Sequence, residues 1–146
     1  MNGILVGYDG SGHSLRALEW AAREAVVRRV PLTVLSVCQA VPDRWRQAPV
    51  DVAADQGLKE IRTLAEEAAD KALAQAGGDL PRPRVAIQAL RGNPAEELLR
   101  AAPGADMIVV GSRGAGGFRK LLLGSVSSHL THHARCPVVV IPDDDI

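Results

Sequence analysis

DMIVVGSRGAGGFRKLLLGSVSSHLTHHARCPVVVI, residues 106–141, is the stretch that decides the fold. It opens on a strand expected over Asp106–Val110, apolar at every position after the first. Such a run suits a strand covered on both faces rather than one with a wet side. Glycines crowd the next segment at Gly111, Gly114, Gly116 and Gly117. Gly124-Ser125 then opens a segment with helical spacing, predicted to run from Ser125 to Arg135. Cys136-Pro137 introduces a last apolar strand, Val138–Ile141. Strand, loop, helix and strand in this order form a unit whose two strands run parallel, joined by a right-handed crossover.

Upstream, the pattern repeats. Ile4-Leu5-Val6 is a short buried strand that runs directly into Gly7, Asp9, Gly10 and Gly12. The spacing predicts a helix over Ser11–Arg29, with Leu15, Leu18, Ala22 and Val26 inward, closed by Pro31. Leu32–Cys38 is a second strand, rich in β-branched residues. Gln39–Ala54 carries Pro42, Arg44, Trp45, Arg46 and Pro49 with no period, and reads as a long loop or flap. A second helix is expected over Asp55–Ala76, with Leu58, Ile61, Leu64, Ala68 and Leu73 inward, stopped by Gly77-Gly78. Arg84–Leu90 reads as a third strand. Asn93 is placed to cap a short helix, with Pro94 in its first turn and Glu96 three residues after the cap. The alternation predicts an α/β fold: a doubly wound, five-stranded parallel sheet between two layers of helices, with strand order 3-2-1-4-5. No internal repeat or domain boundary is visible, so residues 1–146 read as one domain.

Composition narrows the partners. Lys plus Arg and Asp plus Glu are each 17, which argues against a protein held to nucleic acid or an anionic membrane by bulk charge. Aromatics are 3% of residues, so the core must be built from Val, Leu, Ile and Ala. No apolar run approaches a membrane span, and Met1–Val6 lacks the features of a signal peptide. The expected setting is cytoplasmic. Cys38 and Cys136 suggest small apolar residues near strand ends rather than a disulfide framework.

In sheets of this type, ligands bind beyond the carboxyl ends of the strands, where strand order reverses. With order 3-2-1-4-5 that point lies between the first and fourth strands, so Asp9 and Gly111 face one crevice. Glycines let a backbone approach a ligand closely, and successive N–H groups in such turns form anion nests. Helix amides beginning at Ser125 lack internal partners and meet the positive end of the helix dipole, a ready phosphate site. Each such contact contributes about 0.3–1 kcal/mol when exposed and up to about 2 when partly buried. Micromolar affinity needs about −8 kcal/mol, so contacts to a base and a ribose must add to the phosphate cradle. Neither GxxxxGK[ST] nor a GxGxxG opening the first helix is present, which sets aside P-loop NTPases and ordinary dinucleotide enzymes.

Gly111-xx-Gly114, nine residues, then Gly124-Ser125 matches G-2x-G-9x-G-[S/T], and by this the chain resembles the ATP-binding universal stress proteins. Ile4-Leu5-Val6-Gly7-Tyr8-Asp9-Gly10-Ser11 is similar to that family's opening strand and aspartate. Asn93–Leu98, Asp106–Gly111 and Cys136–Ile141 resemble its third helix start and last two strands, so nearly the whole chain is covered. The resemblance implies an adenine nucleotide alpha hydrolase-like, Rossmann-like fold that binds ATP, with Mg²⁺ as a possible companion. It implies that Asp9 accepts hydrogen bonds from the adenosine moiety and that Val37 contacts adenine. It places Gly111, Ser112 and Gly114 against ribose and phosphates, and Gly124, Ser125 and Val126 on phosphate oxygens. Arg113 lies within the motif, where it could neutralise phosphate charge. It also implies a homodimer through Val138–Ile141, consistent with an apolar edge strand inviting pairing.

Other readings compete at several positions. Asp9-Gly10 also suits a simple turn, and the glycine loop a plain connection. His129 and His133 stand four apart with His132 beside them, yet no Glu in HExxH position and no third ligand accompany them, so surface histidines near a helix end are expected. Ser125, Ser127 and Ser128 have no base placed beside them. Trp45 with Arg44 and Arg46 suits an anchor for the loop or a partner contact better than a base-stacking site. Three functions follow: a nucleotide-dependent regulatory switch in stress response, a slow ATPase or adenylyl-transferring enzyme, or a scaffold without nucleotide. The intact glycine motif favours the first. Only Asp9 offers an obvious carboxylate for the second.

Overall fold

The computed structural model describes residues 3–39, 50–78, 80–112 and 124–142. Among these the elements alternate as β1 (Ile4–Gly7), α1 (Gly12–Arg28), β2 (Leu32–Cys38), α2 (Val50–Gly77), β3 (Val85–Arg91), α3 (Pro94–Ala101), β4 (Met107–Gly111), α4 (Ser125–His133) and β5 (Val138–Ile141). All neighbouring strands pair in parallel, and the sheet order is β3-β2-β1-β4-β5, as the alternation predicts. β1 and β4 lie at the centre with Ile4, Leu5, Val6 and Met107–Val110 buried, which is why both read as unbroken apolar runs.

Two cores cover the two faces. On one face, α1 and α2 bury Ala17, Leu18, Ala21, Ala22, Ala25, Val26, Ala65, Ala69, Ala72 and Leu73 against Ile4, Val6, Leu32, Val34 and Val109. On the other, Leu98 from α3 and Leu130 from α4 pack with Leu5, Leu35, Ile108 and Val110. Alternate residues of each central strand feed opposite cores, the period of two expected of a strand. Among the described residues, no helix is long and apolar enough to cross a membrane.

The helix stripes differ from expectation in two places. Leu15 is 37% exposed and Leu64 is 59% exposed, although the apolar spacing placed both inward. The buried stripe of α1 runs instead through Ser14, Ala17, Leu18, Ala21, Ala22, Ala25 and Val26. In α2 the inward positions are Ala65, Ala69, Ala72 and Leu73. Small residues allow two helices and a sheet to approach closely. The alanines therefore mark the contact, and a reading weighted toward large side chains rotates each stripe off its centre.

Element boundaries also moved. Gln39–Ala54, whose sequence suggests a loop, is helical from Val50. Ala53 and Ala54 are strong helix formers that show no apolar period, so the sequence pattern does not mark the helix start. The remainder of that segment, 40–49, with Trp45 and its arginines, lies outside the described residues. Helix α4 ends at His133, short of Arg135, with Ala134 already extended at ψ 145. Pro137 follows closely, and the residue before a proline is driven out of the helical region. Asn93 caps α3 as expected, its side-chain oxygen accepting from the Glu96 N–H at 3.1 Å.

Candidate functional site

The site begins where β1 ends. Tyr8 still belongs to the sheet, donating its N–H to Leu35 O at 3.0 Å, while its own carbonyl accepts the Ser36 hydroxyl at 2.7 Å. Asp9 is the first residue beyond that bond. Gly10 follows with φ +85, a left-handed conformation that turns the chain out of the strand and suits glycine. Ser11 then caps α1, its side chain accepting from the Ser14 N–H at 3.2 Å. Asp9 is held inside this turn: the Ser11 N–H donates to Asp9 Oδ1 at 2.9 Å, and the Ser14 hydroxyl lies 2.8 Å from the same oxygen.

β4 ends beside it. A Cβ on Gly111 would stand 2.8 Å from the backbone oxygen of His13, so the first turn of α1 rests directly on the last residue of β4. Only glycine permits this approach, and it draws the two strand exits together at the point where strand order reverses. Ser112 continues the sheet by donating its N–H to Ile141 O at 2.9 Å. Its carbonyl accepts the Gly124 N–H at 2.5 Å and is also within 3.4 Å of the Ser127 hydroxyl. Ser127 is buried, with its hydroxyl 3.1 Å from Gly124 O. These bonds clasp the end of β4 to the start of α4. The N-cap of α4 is Gly124, which supplies no side-chain cap, so the helix opens without the internal acceptor that Ser11 and Asn93 provide for α1 and α3.

Asp9, Gly111, Ser112, Gly124, Ser125 and Val126 are thus set at the carboxyl ends of β1 and β4 and at the head of α4. Ser125 is exposed and Val126 half-buried. Val37 is half-buried near the carboxyl end of β2, next to β1, paired in register with Leu90. Arg113 and Gly114 lie outside the described residues. Burial, aided by the nearby Asp9 charge, pushes the Tyr8 phenol above its ordinary range. The turn's amides and the open helix head can receive an anion, and Asp9 can accept from hydroxyl or amine donors.

One residue central to this geometry is not singled out by the sequence reading: Ser14, which falls inside the helix expected over Ser11–Arg29; nor is the contact that joins Ser127 to Ser112. The Asp9-x-Ser11-x-x-Ser14 spacing was the available signal, because hydroxyls at such intervals cap a helix start. Elsewhere, the His129 and His133 rings stand 4.5 Å apart on α4, and His132 Nδ1 lies 2.7 Å from Ser128 O. No group of three or more His, Cys, Asp or Glu side chains among the described residues could hold a metal ion. Cys38 and Cys136 are both free thiols, the latter raised in pKa chiefly by burial.

Comparison with known proteins places the chain. The profile of the universal stress protein family matches residues 1–142. A universal stress protein of Mycolicibacterium smegmatis is 38% identical over 143 residues, covering 98% of this chain and 49% of the relative. One from Thermus aquaticus is 37% identical over 140 residues, covering 94% of this chain and 96% of the relative. The chain therefore spans about half the length of the mycobacterial relatives it matches and nearly all of the Thermus one. Among solved structures, a universal stress protein in complex with cAMP superposes with TM-score 0.68 at 26% identity, covering 96% of each chain.

Proposed function

We propose that this chain, which belongs to the universal stress protein family, binds an adenine nucleotide in the crevice between β1 and β4 and serves as a nucleotide-dependent regulatory switch. The observation that carries the reading is the Ser112 clasp. It sets the head of α4, capped only by glycine, beside the strand exits that bear Asp9 and Gly111. An anion at that helix head meets amides without an internal partner and the positive end of the dipole. The cAMP bound by the structural relative supports an adenine ligand in this fold.

In this reading the phosphates lie on Gly124, Ser125 and Val126 and on the loop bearing Arg113 and Gly114, with Gly111 and Ser112 against the ribose. Asp9 accepts from the adenosine moiety, and Val37 supplies an apolar surface for the base. ATP is the ligand proposed, and Mg²⁺ would arrive with its triphosphate. The apolar strand β5, last in the sheet order among the described residues, is the proposed homodimer contact. The nucleotide supply of the cytoplasm suits such a switch.

Calorimetric titration of the purified, nucleotide-free chain with ATP and GTP tests the binding. ATP is expected to bind at micromolar to millimolar concentration, with GTP and the Gly114→Val variant far weaker. Equal heats for ATP and GTP, or undiminished ATP binding by Gly114→Val, would reject this site.

A further inference from the structure

We infer that Ser14 is a positioning residue that sets Asp9 as a fixed hydrogen-bond acceptor and thereby gives the crevice its selectivity for ligands that carry a donor. The inference rests on the nucleotide reading above and deepens it. Ser14 lies in the first turn of α1 and is buried. Its hydroxyl oxygen accepts the Asp9 N–H at 3.1 Å and lies 2.8 Å from Asp9 Oδ1, so one side chain holds Asp9 by its backbone and by its carboxylate. The Ser11 N–H reaches that same Oδ1 at 2.9 Å, and the Ser11 hydroxyl lies 3.2 Å from Ser14 Oγ.

The one proton of the Ser14 hydroxyl faces two acceptors, Asp9 Oδ1 at 2.8 Å and Ser11 O at 3.0 Å, and the shorter contact to the charged oxygen takes it. Two donors on Oδ1 fix the torsion of the carboxylate. Asp9 itself is exposed at the crevice, where the staple from the Ser14 hydroxyl restricts the rotamers its side chain can sample. A carboxylate accepts and does not donate. The ligand must therefore bring the proton at that position, as a ribose hydroxyl or an exocyclic amine. Ser14 acts on the ligand only through Asp9.

The test compares ATP with three analogues lacking one donor each: purine riboside triphosphate without the amino group, 2′-deoxy-ATP and 3′-deoxy-ATP. The analogue missing the donor that Asp9 takes should bind the wild type about tenfold more weakly than ATP, the worth of a hydrogen bond to a charged group. Ser14→Ala should lose a similar factor for ATP but nothing further for that analogue, so the discrimination disappears. Ser14→Thr keeps the hydroxyl and should discriminate, whereas Ser14→Val, with the same added bulk, should not. That pair decides the matter if Ser14→Ala folds poorly. Equal weakening of every ligand, or identical behaviour of the Thr and Val variants, would reduce Ser14 to a structural residue. If the wild type takes none of the four nucleotides, the nucleotide reading falls on its own. The crystal structure of Ser14→Ala then decides the staple: a reoriented Asp9 carboxylate upholds it and an unchanged one overturns it.

Discussion

Gly111 is the residue on which the meeting of β1, β4 and α1 turns. A Cβ there would lie 2.8 Å from the oxygen and 3.0 Å from the carbon of the His13 carbonyl, both backbone atoms that cannot swing aside. Gly111→Ala is therefore expected to cost about 1–3 kcal/mol, as overpacking does, and to displace the first turn of α1. Urea unfolding measures the first effect and nucleotide titration the second. Tyr8 gives a second residue-scale test, because it is the sole tyrosine in the chain. Its pKa is raised above 10.0 by burial first and Asp9 second. The folded state thus holds the phenolic proton more tightly than the unfolded chain, so this stabilisation is complete below the unfolded value. It is lost as pH rises through the folded one. An absorbance titration should show phenolate forming at higher pH in the folded protein than in denaturant. At this scale the places of Asp9, Gly111 and Gly124 were legible, because the strand order puts them at two strand exits and a helix head. Ser14 was not, since the value of a hydroxyl depends on what the fold brings to it.

Helix α1 ends on Arg29, which adopts φ 57 and ψ 46 while its N–H reaches Ala25 O and Val26 O. That left-handed ending favours glycine, and an L-residue there costs about 1–2 kcal/mol. Arg29→Gly should raise stability by about 0.5–1 kcal/mol, the net gain after glycine's greater entropy loss, read from the denaturant midpoint. Helix α2 supplies a paired test of its orientation. Leu64, 59% exposed, should accept Gln within about 0.5 kcal/mol, whereas enlarging the fully buried Ala65 to Leu should cost about 1–3 kcal/mol. The opposite ranking would mean that the large-residue stripe, not the alanine stripe, faces the sheet. Strands were legible nearly to the residue, with β2 and β5 as expected, because a doubly covered strand declares itself as an apolar run. Helix faces and the start of α2 were less so. Alanine serves equally well in a buried contact and on an exposed turn, and its periodicity carries little signal.

For the whole molecule, the strand order follows from right-handed crossovers and places the crevice before any side chain is considered. The fold therefore locates the site, while the turn after β1 and the clasp between β4 and α4 specify what it can hold. The central claim is that an adenine nucleotide occupies that crevice. Its most direct test is residue-resolved: assign the backbone amides of the nucleotide-free chain by NMR and add ATP. The largest shifts are expected at Asp9, Val37, Gly111, Ser112 and Gly124 through Val126, with GTP producing little change at equal concentration. Unmoved amides at these positions under saturating ATP, or shifts gathered at the amino ends of the strands, would contradict it.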